Sequence, residues 1–166
     1  GEKLIYPPRE ERNADFYFLH HEDEDKVFKT IMSLCCHNIP QKFGVPPLSS
    51  KIQVISPMYK GLCGVDNLSA ELQARLNPHS EGLKVGNREF RVRDKVMQVR
   101  NNYDKEIFNG DIGFVVYADK QKFRLLVDFD GREVGFEKEE LNDITHAYAV
   151  SVHKSQGSEC VKKANG

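Results

Sequence analysis

A compact polar cluster follows an apolar run in "AYAVSVHKSQGSE", residues 147–159. Donors suited to phosphate oxygens come from four side chains, those of Ser151, His153, Ser155 and Gln156. Gly157 lets the backbone approach a ligand closely, and Glu159 can accept a hydrogen bond from a ribose hydroxyl. The alternative is a strand followed by a solvated turn, in which His153 and Lys154 are merely exposed. The cluster therefore predicts either a nucleotide or phosphate contact or an ordinary surface turn.

A second candidate surface is a basic stretch made of Arg91, Arg93, Lys95, Arg100 and Lys105. With Asn101, Asn102 and Tyr103 beside it, this stretch could follow a DNA backbone through ionic contacts while the ring stacks on a base. The alternative is a barrel surface whose charges alternate with buried Val92 and Val96, because strand alternation alone predicts that pattern.

A third candidate is Tyr59 and Lys60 in "SPMYKG". They follow the carboxyl end of a predicted parallel strand, where α/β proteins place ligands. The alternative is a loop with an exposed lysine and a tyrosine packed on the barrel.

The elements that must position these residues begin with alternating strands and helices. A strand is predicted over residues 15–20, and a helix follows the acidic run 22–25 and stops near Asn38 and Pro40. A buried strand is predicted over residues 51–57. The next helix, capped by Asp66 and ended by Pro78, has one apolar face formed by Leu68, Leu72 and Leu76. This order favours a mostly parallel sheet covered by helices.

The pattern changes after about residue 84, where short strands are predicted over residues 90–93, 95–99, 113–117, 124–129 and 133–136. Asn109-Gly110 and Asp130-Gly131 supply the positive φ angles of tight hairpins. The spacing predicts a small antiparallel barrel of SH3 type, inserted before the chain returns to the α/β pattern. Such a barrel could instead be a protein-interaction module with a groove for Pro-rich peptides, using rings from Tyr103, Phe108, Tyr117 and Phe123. A stand-alone RNA-binding barrel is a third possibility.

Composition excludes several classes of protein. The net charge of the 166 residues is −1, so nucleic-acid binding requires a local patch rather than bulk electrostatics. The four cysteines show no CxxC spacing, which favours a reducing cytosol and argues against a zinc or other metal site. No apolar run approaches the length of a membrane span, so no membrane partner is expected and the chain is predicted to be cytoplasmic. Both ends look cut, which suggests a fragment.

Three stretches resemble one family. "YAVSVHKSQGSE" resembles motif V of superfamily 1 DNA helicases of the RecD/TraA type, the group that includes the exodeoxyribonuclease V alpha subunit. "IQVISPMYKGLCGVDNLSAELQARLNP" is similar to the family segment after motif IV. "FRVRDKVMQVRNNYDKEIFNGDIG" is similar to the start of the SH3-like insertion in the second motor domain.

The resemblance implies an α/β fold: a partial RecA-like motor domain of the P-loop NTPase type with an inserted SH3-like barrel. The expected divisions are residues 1–83, the first part of the second motor domain; 84–142, the barrel; and 143–166, the truncated motif V region. The parent enzyme would be an ATP-dependent helicase that moves 5′ to 3′ on single-stranded DNA. Its partners would be single-stranded DNA, the remaining motor domain and other exodeoxyribonuclease subunits.

The resemblance also assigns roles to residues. DNA contacts are expected from Ser151, His153, Arg100, Asn101, Asn102, Tyr59 and Lys60. Nucleotide binding or coupling is expected from Gln156, Gly157, Glu159 and Lys154. ATP and Mg²⁺ would serve the parent enzyme, but the chain has no GxxxxGK[ST] phosphate loop, so it holds no catalytic residues and should neither bind ATP tightly nor hydrolyse it alone.

Overall fold

The computed structural model describes residues 16–78 and 82–152. A helical segment comes first: α1 (Glu24–Ser33), a π-helical turn (Leu34–Asn38) and α2 (Ile39–Phe43). The short strand β1 (Val54–Ser56) and the helix α3 (Val65–Leu76) follow. Eight short strands follow, and a 3₁₀ helix (Lys138–Asp143) separates the sixth of them from the last two. The strands are β2 (Leu83–Val85), β3 (Arg88–Phe90), β4 (Lys95–Gln98), β5 (Ile112–Asp119), β6 (Arg124–Phe129), β7 (Arg132–Phe136), β8 (Ile144–His146) and β9 (Ala149–Ser151).

The first helix is confirmed, but its predicted end is wrong. Asp23 caps α1, and its carboxylate accepts a hydrogen bond from the Asp25 amide at 2.9 Å. Helical structure continues past Pro40 to Phe43 because the π turn changes the hydrogen-bond register, with the Ile39 amide donating to the Leu34 carbonyl. Proline lacks an amide hydrogen and crowds the carbonyl four residues earlier, and a π turn just before it accommodates both defects.

The strand predicted over residues 15–20 is also wrong. Residues 16–20 have no regular secondary structure, and the side chains from Phe16 to Leu19 are 49–57% exposed. Aromatic residues favour strands when a sheet offers them a covered face. No strand pairs with residues 16–20 in the described part of the chain, so these aromatic residues do not form a strand.

The parallel strand pair organises the first layer. β1 pairs with β9 in parallel, with Val54 opposite Ala149 and Ser56 opposite Ser151. The helix α3 packs on this pair, and Ser69 accepts a hydrogen bond from the Ala149 amide at 3.1 Å. Leu68 and Leu72 are buried as predicted, in a core with Met32, Cys35, Tyr148 and Ala149. The predicted cap is wrong, because Gly64 precedes α3 and Asp66 lies in its first turn.

The second layer is an antiparallel sheet in the order β7-β6-β5-β4-β8, with the hairpin β2-β3 beside it. Its apolar core includes Phe90, Val96, Val115, Leu125 and Phe136. The Asp130-Gly131 turn is confirmed: the φ angles are 55° and 91°, which together suit the two central positions of a tight hairpin turn.

Two features of this sheet differ from the sequence-based prediction. The strand expected over residues 90–93 ends at Phe90, because the chain turns at Arg93, whose φ is 77°. The strands β2 and β8 were not predicted. β8 pairs with β4, so the five-stranded sheet extends past residue 143. No described helix is long and apolar enough to cross a membrane.

Candidate nucleic-acid interface

Tyr59 and Ser151, two residues predicted to contact DNA, meet at one edge of the molecule. They are 92 positions apart in sequence, yet the Tyr59 hydroxyl donates a hydrogen bond to Ser151 Oγ at 2.9 Å. Because β1 and β9 run in parallel, both strands end at this edge. Ser151 is only 3% exposed, whereas Tyr59 is 51% exposed. The accessible surface here therefore belongs to the tyrosine, and the serine fixes its hydroxyl.

The loop that carries Tyr59 and Lys60 folds tightly over the start of α3. The Val65 amide donates to the Met58 carbonyl at 2.8 Å, and the Asp66 amide donates to the Tyr59 carbonyl at 3.2 Å. A side chain at Gly64 is excluded, since its Cβ would lie 2.4 Å from the Lys60 carbonyl oxygen. Lys60 Nζ lies 2.7 Å from Asp66 Oδ2 in a pair open to solvent, so the ammonium group remains accessible.

Arg100, Asn101 and Asn102 lie in the loop between β4 and β5. The Arg100 side chain is 77% exposed and lies 3.5 Å from the Asp143 carboxylate. Asn101 Oδ1 accepts a hydrogen bond from the Asn109 amide at 2.9 Å, and Asn102 Oδ1 accepts one from the Lys105 amide at 3.0 Å. The two asparagines thus use an acceptor atom to close the loop, while Arg100 presents its charge to solvent.

The basic stretch predicted from sequence does not form one continuous surface. Lys95 is 2% exposed and donates to the carbonyls of Ser49 and Ile52 at 3.3 and 2.8 Å. Arg91 bonds to Glu89 at 3.0 Å, and Lys105 bonds to Glu140 at 2.5 Å. The prediction is wrong for Lys95, because β4 is covered on both faces and all four of its residues are buried.

Comparisons with known proteins show similarity to one helicase family over part of the chain. Residues 68–129 match the family described as the SH3 domain of ATP-dependent RecD-like DNA helicases. The chain is 44% identical to the ATP-dependent RecD2 DNA helicase of Deinococcus radiodurans over 108 residues, which cover 65% of the chain and 15% of the relative. The predicted resemblance is confirmed. Residues 68–129 are similar to the SH3 domain of RecD-like helicases.

More distant similarities were also found. An uncharacterised protein of Methanocaldococcus jannaschii, MJ1519, is 28% identical over 150 residues, covering 74% of the chain and 13% of that protein. A crystal structure of the Bacteroides Pif1 helicase with ADP-AlF3 and single-stranded DNA has a TM-score of 0.49 and 17% identity, covering 80% of the chain and 37% of the Pif1 chain. The chain spans less than a sixth of the curated relatives it matches.

The five-stranded sheet is joined to the helical layer through a buried polar junction around Asp94. Its carboxylate is fully buried and accepts hydrogen bonds from Gln73 at 2.7 Å, Asn77 at 2.8 Å and the Tyr148 hydroxyl at 2.8 Å. His146 Nε2 lies 3.2 Å from the same carboxylate. We refer to Asp94 and these four partners as the Asp94 junction. It connects α3, the turn before β4, and the chain on both sides of Ala147.

Ionisation within this junction is opposed by burial and favoured by hydrogen bonds. Burial alone would raise the pKa of Asp94, but hydrogen bonds from His146, the Arg91 amide and Asn77 outweigh it and hold that pKa below its ordinary value. Burial and the Asp94 charge raise the pKa of Tyr148. The junction therefore contains a carboxylate and a neutral phenol at neutral pH. Sequence analysis missed this cluster, although Gln73 and Asn77 are four residues apart, the spacing of one helix face.

One apolar cluster is adjacent in sequence to both predicted surfaces. Met97, Ala147 and Val150 form it, with Val99 and Ile112 packed against it. Arg100 follows Val99, and Ser151 follows Val150. The remaining predicted residues lie outside the described part of the chain; they are His153, Lys154, Gln156, Gly157 and Glu159.

The four rings proposed for a peptide groove fall into two places. Tyr103 and Phe108 pack edge to face in the loop after β4, with ring centroids 5.8 Å apart. Phe123 lies near the β5-β6 turn, where Lys138 Nζ is 5.5 Å from its ring centre. In residues 16–78 and 82–152, no ring contact joins Tyr103 or Phe108 to Tyr117 or Phe123. No group of histidine, cysteine, aspartate or glutamate side chains in this part of the chain could hold a metal ion.

Proposed function

We propose that this chain is part of an ATP-dependent 5′ to 3′ DNA helicase of the RecD type and contributes single-stranded DNA binding to it. The observation that carries the proposal is the hydrogen bond between Tyr59 and Ser151, which brings a loop and a strand end from distant parts of the sequence to one edge. Arg100 in the loop after β4, whose side chain is 77% exposed, adds a positive charge that a phosphate can reach. Together they offer separate polar contacts along a backbone of phosphates.

The same proposal assigns the architecture. Residues 1–83 and 143–166 belong to the second RecA-like motor domain, and residues 84–142 are the barrel inserted into it, whose sheet takes in one further strand, β8, from the segment after residue 142. The parallel pair β1-β9 with α3 packed on it is the arrangement expected of such a motor domain, and it supports this division. Motif V, the stretch from Tyr148 to Glu159, would couple the nucleotide cleft to the DNA channel.

The chemistry of ATP hydrolysis belongs to the complete enzyme. ATP and Mg²⁺ would bind where the first motor domain supplies a phosphate loop, and the remaining motor domain and other exodeoxyribonuclease subunits are the proposed partners. Phosphoryl transfer depends on positioned charge around the phosphates. We therefore propose that this chain, which has no phosphate-loop string, grips DNA in the cytoplasm but does not hydrolyse ATP alone.

A binding titration tests this proposal. A fluorescein-labelled (dT)₂₀ strand is titrated with the protein at several salt concentrations, and its anisotropy is measured. We expect Arg100→Ala to weaken binding and to lower the slope of log K against log salt by about 0.7, the loss of one phosphate contact on a single strand. Lys122→Ala, in the β5-β6 turn, is the matched control and should leave the slope unchanged.

Two results would contradict the proposal. If the wild-type protein shows no change in anisotropy at low salt and high protein concentration, it has no DNA-gripping surface. If the purified chain releases phosphate from ATP, the division of labour between this chain and the rest of the enzyme is wrong.

A further inference from the structure

Tyr103 is the most exposed large apolar side chain in the described part of the molecule. It is 74% exposed, although its neighbours in the same loop are held by hydrogen bonds. Its ring packs edge to face with Phe108 at an interplanar angle of 70°, and its hydroxyl accepts a hydrogen bond from the Asn101 side-chain Nδ2 at 3.4 Å. These contacts orient the ring but leave most of its surface open to solvent.

The loop beneath Tyr103 is rigid. Asn102 and Ile107 bond to each other through both backbone groups, at 2.7 and 3.1 Å. The Arg132 guanidinium donates to the carbonyls of Lys105 and Glu106, at 2.7 and 2.5 Å, and so holds the far side of the loop. A ring presented on such a loop loses little conformational entropy when it binds a flat partner.

The charge beside the ring indicates what that partner is. Arg100 is three residues from Tyr103, and its side chain is 77% exposed. An open aromatic face with an accessible guanidinium nearby suits a polymer with alternating flat bases and phosphates, because any base can stack on a ring while the phosphate takes the charge. A groove for a Pro-rich peptide needs several rings together, and the second pair of rings lies at another hairpin.

We propose that Tyr103 is a stacking platform for one base of single-stranded DNA, with Arg100 on a neighbouring phosphate. This inference rests on the proposed function and goes beyond it, because it assigns recognition of a base to a named side chain. The contact is independent of sequence, since all four bases have a π face.

The test separates the base from the backbone. Two labelled 12-nucleotide strands are compared by anisotropy at low salt, one of (dT)₁₂ and one with the same phosphates but abasic sugars. We expect the wild-type protein to bind (dT)₁₂ about tenfold or more tightly than the abasic strand. Tyr103→Ala should abolish most of that difference without weakening binding to the abasic strand. Tyr103→Phe should retain the difference, because the ring remains. Arg100→Ala should weaken binding to both strands by the same factor.

Each outcome has a distinct meaning. If the wild type binds both strands equally, or if Tyr103→Ala weakens binding to both equally, stacking by Tyr103 is refuted while a DNA-gripping surface is retained. If the wild type binds neither strand, the proposed function itself fails and the stacking contact fails with it. Unchanged thermal unfolding midpoints of the Tyr103 variants will exclude a folding defect, and the high exposure of the ring predicts that result.

Discussion

The Asp94 junction and the Arg100–Phe108 loop are built from similar residues and have opposite environments. Both contain asparagine, tyrosine and charged side chains. In the junction every hydrogen-bonding group of Asp94 is turned inward and the carboxylate is fully buried. In the loop the asparagines stabilise the turn while Arg100 and Tyr103 face solvent. Polar residues that are buried and paired fix the relation between two layers, and polar residues that are exposed on a rigid loop are available to a ligand.

The largest effect should come from breaking the buried side of this comparison. Asp94→Ala leaves Gln73, Asn77 and Tyr148 without their shared acceptor in a buried site. We expect a loss of about 3 kcal/mol in the free energy of unfolding. Urea denaturation followed by circular dichroism measures it. The control is Glu139→Ala, which changes an exposed acidic residue in the 3₁₀ helix and should alter stability little. An equally small loss for Asp94→Ala would mean that the Asp94 junction contributes little to stability.

The buried lysine next to this junction should give a pH-dependent effect. Burial lowers the pKa of Lys95 to about 8, below the value of about 10.4 expected in the unfolded chain. Between these values the unfolded chain binds more protons than the native protein, so stability due to Lys95 rises with pH above about 7. From pH 7 to pH 9 we expect the wild type to gain about 1 kcal/mol relative to Lys95→Met.

The comparison with Lys95→Met is needed because a neighbouring thiol acts in the opposite direction. Burial raises the pKa of Cys35 to about 11, and its effect is to lower stability above about pH 9. Urea titrations of both proteins at pH 7, 8 and 9 measure the difference. If the free energies of unfolding of the two proteins change in parallel with pH, Lys95 keeps its ordinary pKa in the folded protein.

The rigidity of the Arg100–Phe108 loop can be tested without changing Arg100 or Tyr103. Arg132→Ala removes the two hydrogen bonds to the carbonyls of Lys105 and Glu106. We expect affinity for (dT)₂₀ to fall about threefold, the cost of ordering a freer loop on binding. Amide hydrogen exchange at Asn102 and Ile107 should become faster. Arg124→Ala, whose partner is Glu137 at 3.0 Å, is the matched control; equal losses of affinity in both variants would mean that only net charge matters.

The smallest effect on stability is expected at Lys60. Its ion pair with Asp66 is open to water, with side-chain exposures of 89% and 56%. Such pairs contribute little, so Lys60→Ala should change the free energy of unfolding by less than about 0.5 kcal/mol. Its effect should appear instead in the salt dependence of DNA binding, where the slope of log K falls by about 0.7 if Lys60 contacts a phosphate. An unchanged slope would remove Lys60 from the interface.

Local patterns allowed part of this fold to be predicted. Leu68 and Leu72 lie four residues apart and are both buried under the parallel strands, because helical spacing places them on one face. The prediction of the Asp130-Gly131 turn is confirmed, because few other residue pairs adopt two positive φ angles in succession. By contrast, β2 and β8 contain three residues each, too few to show alternation.

The candidate site was less predictable, for a physical reason. Lys95 was grouped with exposed basic residues because alternation within one strand does not reveal that a second layer covers its other face. The contact between Tyr59 and Ser151 depends on pairing between distant strands. The role of Arg132 as a support for the loop depends on the β6-β7 hairpin, whose position beside residues 105–106 is set by the tertiary fold.

The pairing of β1 with β9 also has a consequence for how the chain folds. Nearly the whole barrel lies between these two strands in sequence, so their contact closes a long loop and is entropically costly for an unfolded chain. The hairpins within the barrel are local, and β8, which ends three residues before β9, already belongs to the barrel sheet. Once the barrel has formed, the chain before β9 is anchored and the remaining loop is much shorter. We therefore expect the antiparallel sheet to fold first, because its contacts are more local, and the parallel strands to pair afterwards.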